Sequence, residues 1–331
     1  MVHIVEVSPR DGLQNESTPV STAVKVDLVL QAAAAGLTRI EVTSFVSPKA
    51  VPQMADAEAV LAGVRERLGP SPVELSAVAL NARGIDRAVA AGVDAVTFVM
   101  LATEEFNQRN QGCSRAESMR TWQASARRLR ERGLRSTFML GASFGCPFSG
   151  EVAPGDVLDL VQEALEAGPD EIALADTIGC GVPTQVTDLF GGIRELAGGE
   201  VPMRVHLHNT RNAGYANAFA AVAAGVTALD ASIGGIGGCP FAPAATGNIA
   251  TEDLAWMLGR AGVDDSVSVS GTIGAARLLA GNGVGTSAML GRAAPFPADK
   301  PFPADKPSPA GSPLPSQQPV PAGRPGAGDR T

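Results

Sequence analysis

The chain has 331 residues, of which 45% are hydrophobic and 18% charged, enough apolar material for a large core in one or two domains. Its formal net charge of −8 and its 4% aromatic content argue against nucleic acid or an anionic membrane as partner. Those surfaces recruit basic patches, and single strands recruit stacking rings. Four cysteines, Cys113, Cys146, Cys180 and Cys239, form no CxxC pair, so free thiols in a reducing compartment are expected. The first residues run straight into the strand-like Val2-His3-Ile4-Val5-Glu6-Val7 rather than a leader, and the apolar runs are strand-length or broken by charge. A cytoplasmic protein with no membrane contact is therefore expected.

From residue 3 onward, short β-branched runs alternate with alanine-rich amphipathic segments. Strands are expected near 3–8, 39–45, 73–80, 95–101, 135–142, 171–177, 203–208 and 228–233. Helices are expected near 22–35, 54–68, 81–91, 115–132, 154–167, 183–197, 213–224 and 251–260. Several of them stop at a glycine, as at Ala35-Gly36, Ala91-Gly92 and Ala224-Gly225. Eight strand–helix units define a (β/α)8 TIM barrel over about 250 residues. An open doubly wound sheet would want a phosphate-binding glycine turn after its first strand, and Ser8-Pro9-Arg10-Asp11-Gly12 does not supply one.

Beyond Arg260 the pattern weakens to one extra helix near 272–280, which closes a barrel domain spanning 1–290. Residues 295–331 are rich in Pro, Ala and Gly and contain a tandem Pro-Phe-Pro-Ala-Asp-Lys repeat. Such a segment buries too little apolar surface to offset its ordering entropy, so a disordered tail is expected.

In a TIM barrel, chemistry gathers at the C-terminal ends of the strands. Strand one ends in Arg10, Asp11 and Gln14. Strand two carries Glu41 and Ser44, strand six ends in Asp176-Thr177, and strand seven carries two of the chain's three histidines, His206 and His208. Positions i and i+2 of a strand share a face, so the two imidazoles project together as half of a metal site. Asp11 can meet them over the barrel mouth. A carboxylate, two imidazoles and a neutral amide oxygen suit Mg²⁺ or Mn²⁺ better than zinc, because no thiolate pair is offered. Arg10 beside such a cation can stabilise a developing enolate. Glu41, a charge inside a β-run, needs a partner that Arg10 could provide. Cys239 follows Gly234-Gly235-Ile236-Gly237-Gly238, a glycine pattern that reads as a mobile lid.

These stretches together resemble the 3-hydroxy-3-methylglutaryl-CoA lyase family, from about Val5 to about Leu290. The matching motifs are Val5 through Glu16, Thr43-Ser44-Phe45-Val46-Ser47-Pro48-Lys49, Val51-Pro52-Gln53-Met54, Asp176-Thr177-Ile178-Gly179, and Gly237-Gly238-Cys239-Pro240 through Gly247-Asn248 to Leu254. The resemblance implies a carbon–carbon lyase that binds Mg²⁺ or Mn²⁺ through Asp11, His206, His208 and Asn248. It implies catalytic roles for Arg10 and Cys239, with proton transfer by His206 and a bound water or Glu41 as alternatives. Arg10, Gln14, Ser44 and Thr177 would contact the acyl-CoA substrate, and a homodimer is expected.

Three positions depart from the family pattern: Asn209 where an aspartate is common, Ala173 where a serine is common, and Ser17 where a lysine is common. Asn209 keeps an acceptor but loses a charge beside the expected metal site. Citramalyl-CoA or a longer-branched 3-hydroxyglutaryl-CoA is the alternative substrate. Related synthases begin with Asp-Arg-Glu rather than Arg10-Asp11-Gly12. A silent CoA-binding scaffold would not need the full constellation.

Overall fold

The computed structural model describes residues 2–238, 247–264 and 266–293. Eight parallel strands close into one barrel in chain order: β1 (His3–Glu6), β2 (Arg39–Ser44), β3 (Glu74–Ala79), β4 (Ala95–Leu101), β5 (Arg135–Gly141), β6 (Glu171–Asp176), β7 (Met203–Leu207) and β8 (Ala228–Ala231). β1 closes the ring by pairing with β8 in the register Val5↔Asp230. The helices between them are α1 (Thr22–Ala34), α2 (Ala57–Leu68), α3 (Ala82–Ala90), α4 (Glu104–Gln111), α5 (Arg115–Glu131), α6 (Pro154–Leu165), α7 (Pro183–Leu196) and α8 (Gly214–Ala223). They are followed by α9 (Thr251–Arg260) and α10 (Val269–Gly281). The expected TIM barrel with an extra C-terminal helix is thus what forms. The Pro-rich tail expected from residue 295 lies outside the described residues. Among the described residues, no helix is long and apolar enough to cross a membrane.

Local chemistry starts and stops these helices. Ser21, Asn81, Thr103 and Ser268 each accept a hydrogen bond from a first-turn amide, and Ser114 forms a reciprocal capping box with Glu117. α6 and α7 instead begin on Pro154 and Pro183, whose missing N–H costs nothing in a first turn. α4 was not expected from the sequence. Its eight residues carry Phe106 as their one large apolar side chain, too little for an amphipathic period. α2 starts three residues later than expected because Pro52–Met54 forms a separate 3-10 turn.

The apolar core lies between barrel and helices, where Phe98, Trp122, Phe138 and Phe190 are fully buried and the Trp122 indole donates to Ala164 O at 3.1 Å. Burying such side chains stabilises by roughly 1.5–3 kcal/mol each. The barrel interior is different, because charge fills it. At its N-terminal end Arg39 makes a two-point contact with Glu171 (2.8 and 2.9 Å) and a third bond to Glu74, which also pairs with Arg135 at 2.6 Å. Nearer the middle sit Glu41, Arg204 and Asp230, each at most 1% exposed. Buried charges are costly unless each is paired, and here each one is.

Two glutamates rivet the C-terminal end. Glu6 accepts from the amides of Ser8 (2.8 Å) and Ile233 (3.0 Å) and from the Thr251 hydroxyl (2.7 Å). The Glu252 carboxyl accepts from the Gly234 amide. Burial drives the Glu252 carboxyl up to about 7, and Glu6 adds to the effect against the Gly234 hydrogen bond. Near neutrality the folded chain holds a proton that the unfolded chain, with a carboxyl near 4.5, gives up. This stabilisation is complete below about pH 4.5 and is lost as pH rises through about 7. Glu252→Gln is therefore expected to gain stability relative to the parent between about pH 5 and pH 8, by up to about 3 kcal/mol. Urea midpoints that move in parallel for the two proteins would contradict this.

Candidate active site

β1 ends two residues earlier than the sequence suggests. Val7 leaves the extended region (φ −116°, ψ 4°), and Ser8–Gly12 winds into a π-helical turn. Such turns are rare and recur at functional sites. This one lifts Arg10 and Asp11 over the barrel mouth, where β7 delivers His206 and its adjoining loop delivers His208. Asn248, joined to His208 by an isolated bridge, arrives from the segment before α9. The four expected ligand residues, drawn from opposite ends of the chain, come together.

The distances define a compact donor cluster. His206 Nε2 lies 3.1 Å from His208 Nε2, and Asp11 Oδ2 lies 3.7 and 4.0 Å from those two nitrogens. Asn248 Nδ2 donates to Asp11 Oδ2 at 2.9 Å and to Ile236 O at 3.0 Å, while its Oδ1 is buried without a partner among the described residues. Gly237 makes this approach feasible. Its φ of +100° is a glycine conformation, and a Cβ there would sit 2.7 Å from Asn248 Nδ2 and 2.9 Å from Gly12 Cα.

Electrostatics favour a cation in the cluster. Burial alone would raise the Asp11 carboxyl, but the Arg10 guanidinium and the two imidazoles hold it well below the usual carboxylate range. Burial and the neighbouring His206 push His208 down to about 4, so its ring is neutral at ordinary pH. Burial also pulls on His206, but its hydrogen bond to Asp230 and the charges of Asp11 and Asp230 outweigh it, and the ring is held above its ordinary value. One carboxylate, two imidazoles and an orphaned amide oxygen fit a hard divalent cation such as Mg²⁺ or Mn²⁺.

The remaining expected residues divide. Arg10 is clasped between two carboxylates, donating from Nε to Glu41 Oε1 at 2.5 Å and from NH1 to Asp11 Oδ1 at 2.6 Å. Gln14 and Thr177 line the cavity that opens beside the donor cluster, whereas Ser44 and Glu41 lie outside its lining. The Ser44 hydroxyl is buried and has no partner among the described residues. Both Glu41 oxygens are engaged, Oε1 by Arg10 and Oε2 by Thr97 (3.0 Å) and Arg204 (3.4 Å). Asn209 does not turn toward the donors. Its Oδ1 accepts from the Gly214 amide at 3.1 Å and anchors the start of α8. Cys239 lies outside the described residues, but Gly238 before it lines the cavity and accepts from Asn15 at 2.7 Å.

Sequence reasoning missed Asp230, which takes the His206 Nδ1 at 3.0 Å, and Arg204, which bonds Asp230. A signal was there to read. Each is a charge inside an apolar strand run, the same anomaly that singled out Glu41.

The cavity holds about 660 Å³. Its lining includes Arg10, Asp11, His206 and His208 together with the apolar Val78, Leu80, Val99, Leu101, Phe106 and Met139. A cluster of possible metal donors at the C-terminal mouth of a TIM barrel, opening on a cavity of this size, has the placement of an enzyme active site. Residues 1–279 match the HMGL-like family, and the chain belongs to it.

Relatives and solved structures agree. The chain is 42% identical over 302 residues to the (R)-citramalyl-CoA lyase of Chloroflexus aurantiacus, covering 89% of this chain and 95% of that one. It is 40% identical over 260 residues to the 3-hydroxy-3-isohexenylglutaryl-CoA/hydroxy-methylglutaryl-CoA lyase of Pseudomonas aeruginosa, covering 78% and 84%. An HMG-CoA lyase from Acenitobacter baumannii, solved with coenzyme A and 3-methylmalate, superposes with a TM-score of 0.84 at 35% identity, covering 92% of this chain and 98% of that one.

Proposed function

We propose that the chain is a divalent-cation-dependent oxo-acid lyase that cleaves 3-hydroxy-3-methylglutaryl-CoA to acetoacetate and acetyl-CoA. The observation that carries this reading is the meeting of Asp11, His206, His208 and Asn248 beside the clasped Arg10 guanidinium. A cation held by those four residues would polarise the substrate's tertiary hydroxyl. A bound water takes the hydroxyl proton, because His206, the expected proton-transfer group, has Nδ1 committed to Asp230 and would give Nε2 to the cation. The Asp230 carboxylate behind Nδ1 would instead fix the ring's tautomer and strengthen Nε2 as a ligand. The O–H electron pair becomes the new carbonyl, the bond between the carbinol carbon and the thioester's α-carbon breaks, and the released pair forms the acetyl-CoA enolate. Arg10, fixed by Glu41 and Asp11, places its charge where that enolate oxygen develops. Cys239 returns a proton to the α-carbon. Glu41, with both oxygens occupied, serves as the support of Arg10 rather than as a base. Gln14 and Thr177 orient the acyl group. The reading carries with it a cytoplasmic homodimer.

One observation favours the alternative substrate, citramalyl-CoA. Among the described residues lining the cavity, Arg10 is the one lysine or arginine, and residues 239–246 contribute none. A substrate carboxylate then finds its countercharge at the cation and Arg10. A carboxylate attached directly to the carbinol carbon reaches them more easily than one a methylene away. The two substrates give different keto acids, acetoacetate and pyruvate, so product analysis after incubation of each thioester with Mn²⁺ separates the readings. Cys239→Ser is expected to lower turnover at least about tenfold while leaving Mn²⁺ affinity unchanged. Loss of Mn²⁺ binding in that variant would place the thiol among the ligands instead.

A further inference from the structure

We infer that Arg204 is the positioning residue that aims both functional arms of the site, His206 and Arg10, through one shared guanidinium. The inference rests on the lyase reading above. Arg204 is 1% exposed and sits two residues before His206 on β7, on the same inward face one layer deeper in the barrel.

Its two carboxylate partners divide their oxygens in the same way. Asp230, opposite His206 in the β7–β8 register, gives Oδ2 to His206 Nδ1 at 3.0 Å and Oδ1 to Arg204 Nε. Glu41, from the far side of the barrel, gives Oε1 to Arg10 and Oε2 to Arg204 NH2 at 3.4 Å. The remaining nitrogen, NH1, lies 3.4 Å from Thr97 Oγ1 and 4.0 Å from Glu171 Oε2. Each carboxylate therefore holds a functional group with one oxygen and Arg204 with the other, an oxygen that Glu41 also shares with Thr97.

A carboxylate bonded on one side alone is free to rotate about its last torsion. For Asp230 the second bond from Arg204 fixes that rotation, and with it the direction of His206 Nε2; for Glu41 it does so together with Thr97 Oγ1, 3.0 Å from the same Oε2, and so steadies the plane of the Arg10 guanidinium. A lysine keeps the charge but offers one nitrogen on a flexible stem, and it cannot reach Asp230, Glu41 and Thr97 together. Arg204 touches neither the donor cluster nor the cavity, so its effect passes entirely through Asp230 and Glu41.

Arg204→Lys is the test, with Mn²⁺ affinity of the metal-stripped full chain measured by calorimetry and steady-state turnover measured at saturating Mn²⁺. The expected result is a Kd for Mn²⁺ raised by about tenfold or more. A kcat lowered by a similar factor is expected, with KM for the thioester changed by less than about threefold. The urea midpoint should stay close to the parent's. In a cycle with Asp230→Asn, the double variant is expected to bind Mn²⁺ no more weakly than Asp230→Asn alone, because both changes break one path. Parental Mn²⁺ affinity and kcat in Arg204→Lys, or effects of the two substitutions that multiply, would overturn the role. Failure of the parent protein itself to bind Mn²⁺ would sink the lyase reading and this inference together. Cleavage and Mn²⁺ binding by the parent, unchanged in Arg204→Lys, would remove this inference alone.

Discussion

Replacing His208 with alanine is expected to reduce Mn²⁺ affinity by more than the ~10–100-fold that follows loss of an outer-sphere partner. His208 offers a neutral ring whose Nε2 stands within 4.0 Å of both His206 Nε2 and Asp11 Oδ2. Burial and His206 hold its protonation near pH 4, so no proton competes for that lone pair at neutral pH. Among the described residues its Nδ1 has no partner, and removal of the ring breaks no supporting hydrogen bond behind it. Stability should therefore be nearly unchanged while metal binding collapses. Calorimetric titration beside a thermal melt checks both halves. A variant that binds Mn²⁺ as tightly as the parent would remove His208 from the donor set.

Replacing Arg10 with methionine is expected to lower kcat by about 10²–10³-fold, the usual cost of removing a preorganised donor from a developing oxyanion. The change also strips Glu41 Oε1 and Asp11 Oδ1 of their shared cation. Glu41 is fully buried but keeps Arg204 and Thr97, and Asp11 is partly exposed, so the protein should fold with a reduced urea midpoint. Arg10→Lys should recover part of the stability but little of the rate. A single ammonium cannot bridge both carboxylates and also face the substrate. Steady-state kinetics on Arg10→Met and Arg10→Lys decide the matter, and a kcat within about threefold of the parent in either would contradict the assignment.

Much of this was legible in the sequence because its signals are local or periodic. Eight β-branched runs, each followed by an alanine-rich amphipathic segment, announce the barrel. The His206/His208 spacing announces a pair of inward imidazoles. The long motifs around Arg10 and Asn248 supply the rest of the site through the resemblance they carry. What the sequence hid is tertiary. The π-helical turn at Ser8–Gly12 is set by the Glu6 carboxyl and its hydrogen bonds to Ser8, Ile233 and Thr251, drawn from opposite ends of the chain. α4 is held by the Thr103 cap and by Asn107 bonds to Leu101 N and Cys113 O rather than by an apolar face.

Asn209 was expected beside the metal position, but it spends its side chain on the start of α8. The charge layer of Arg39, Glu74, Glu171 and Arg204 inside the barrel looks, residue by residue, like a set of surface charges. Only closure of the ring turns those side chains inward to face one another.

Once loaded with a divalent cation, this cluster is expected to break a carbon–carbon bond in a branched hydroxyacyl-CoA. The most direct test is acetyl-CoA release by the purified chain from 3-hydroxy-3-methylglutaryl-CoA and from citramalyl-CoA. Release is followed with Mn²⁺ present, after chelation with EDTA, and after Mn²⁺ is restored. Acetyl-CoA and a keto acid are expected in equal amounts from at least one thioester, lost on chelation and regained with the metal. No acetyl-CoA from either thioester, or release that continues undiminished after chelation, would contradict this expectation.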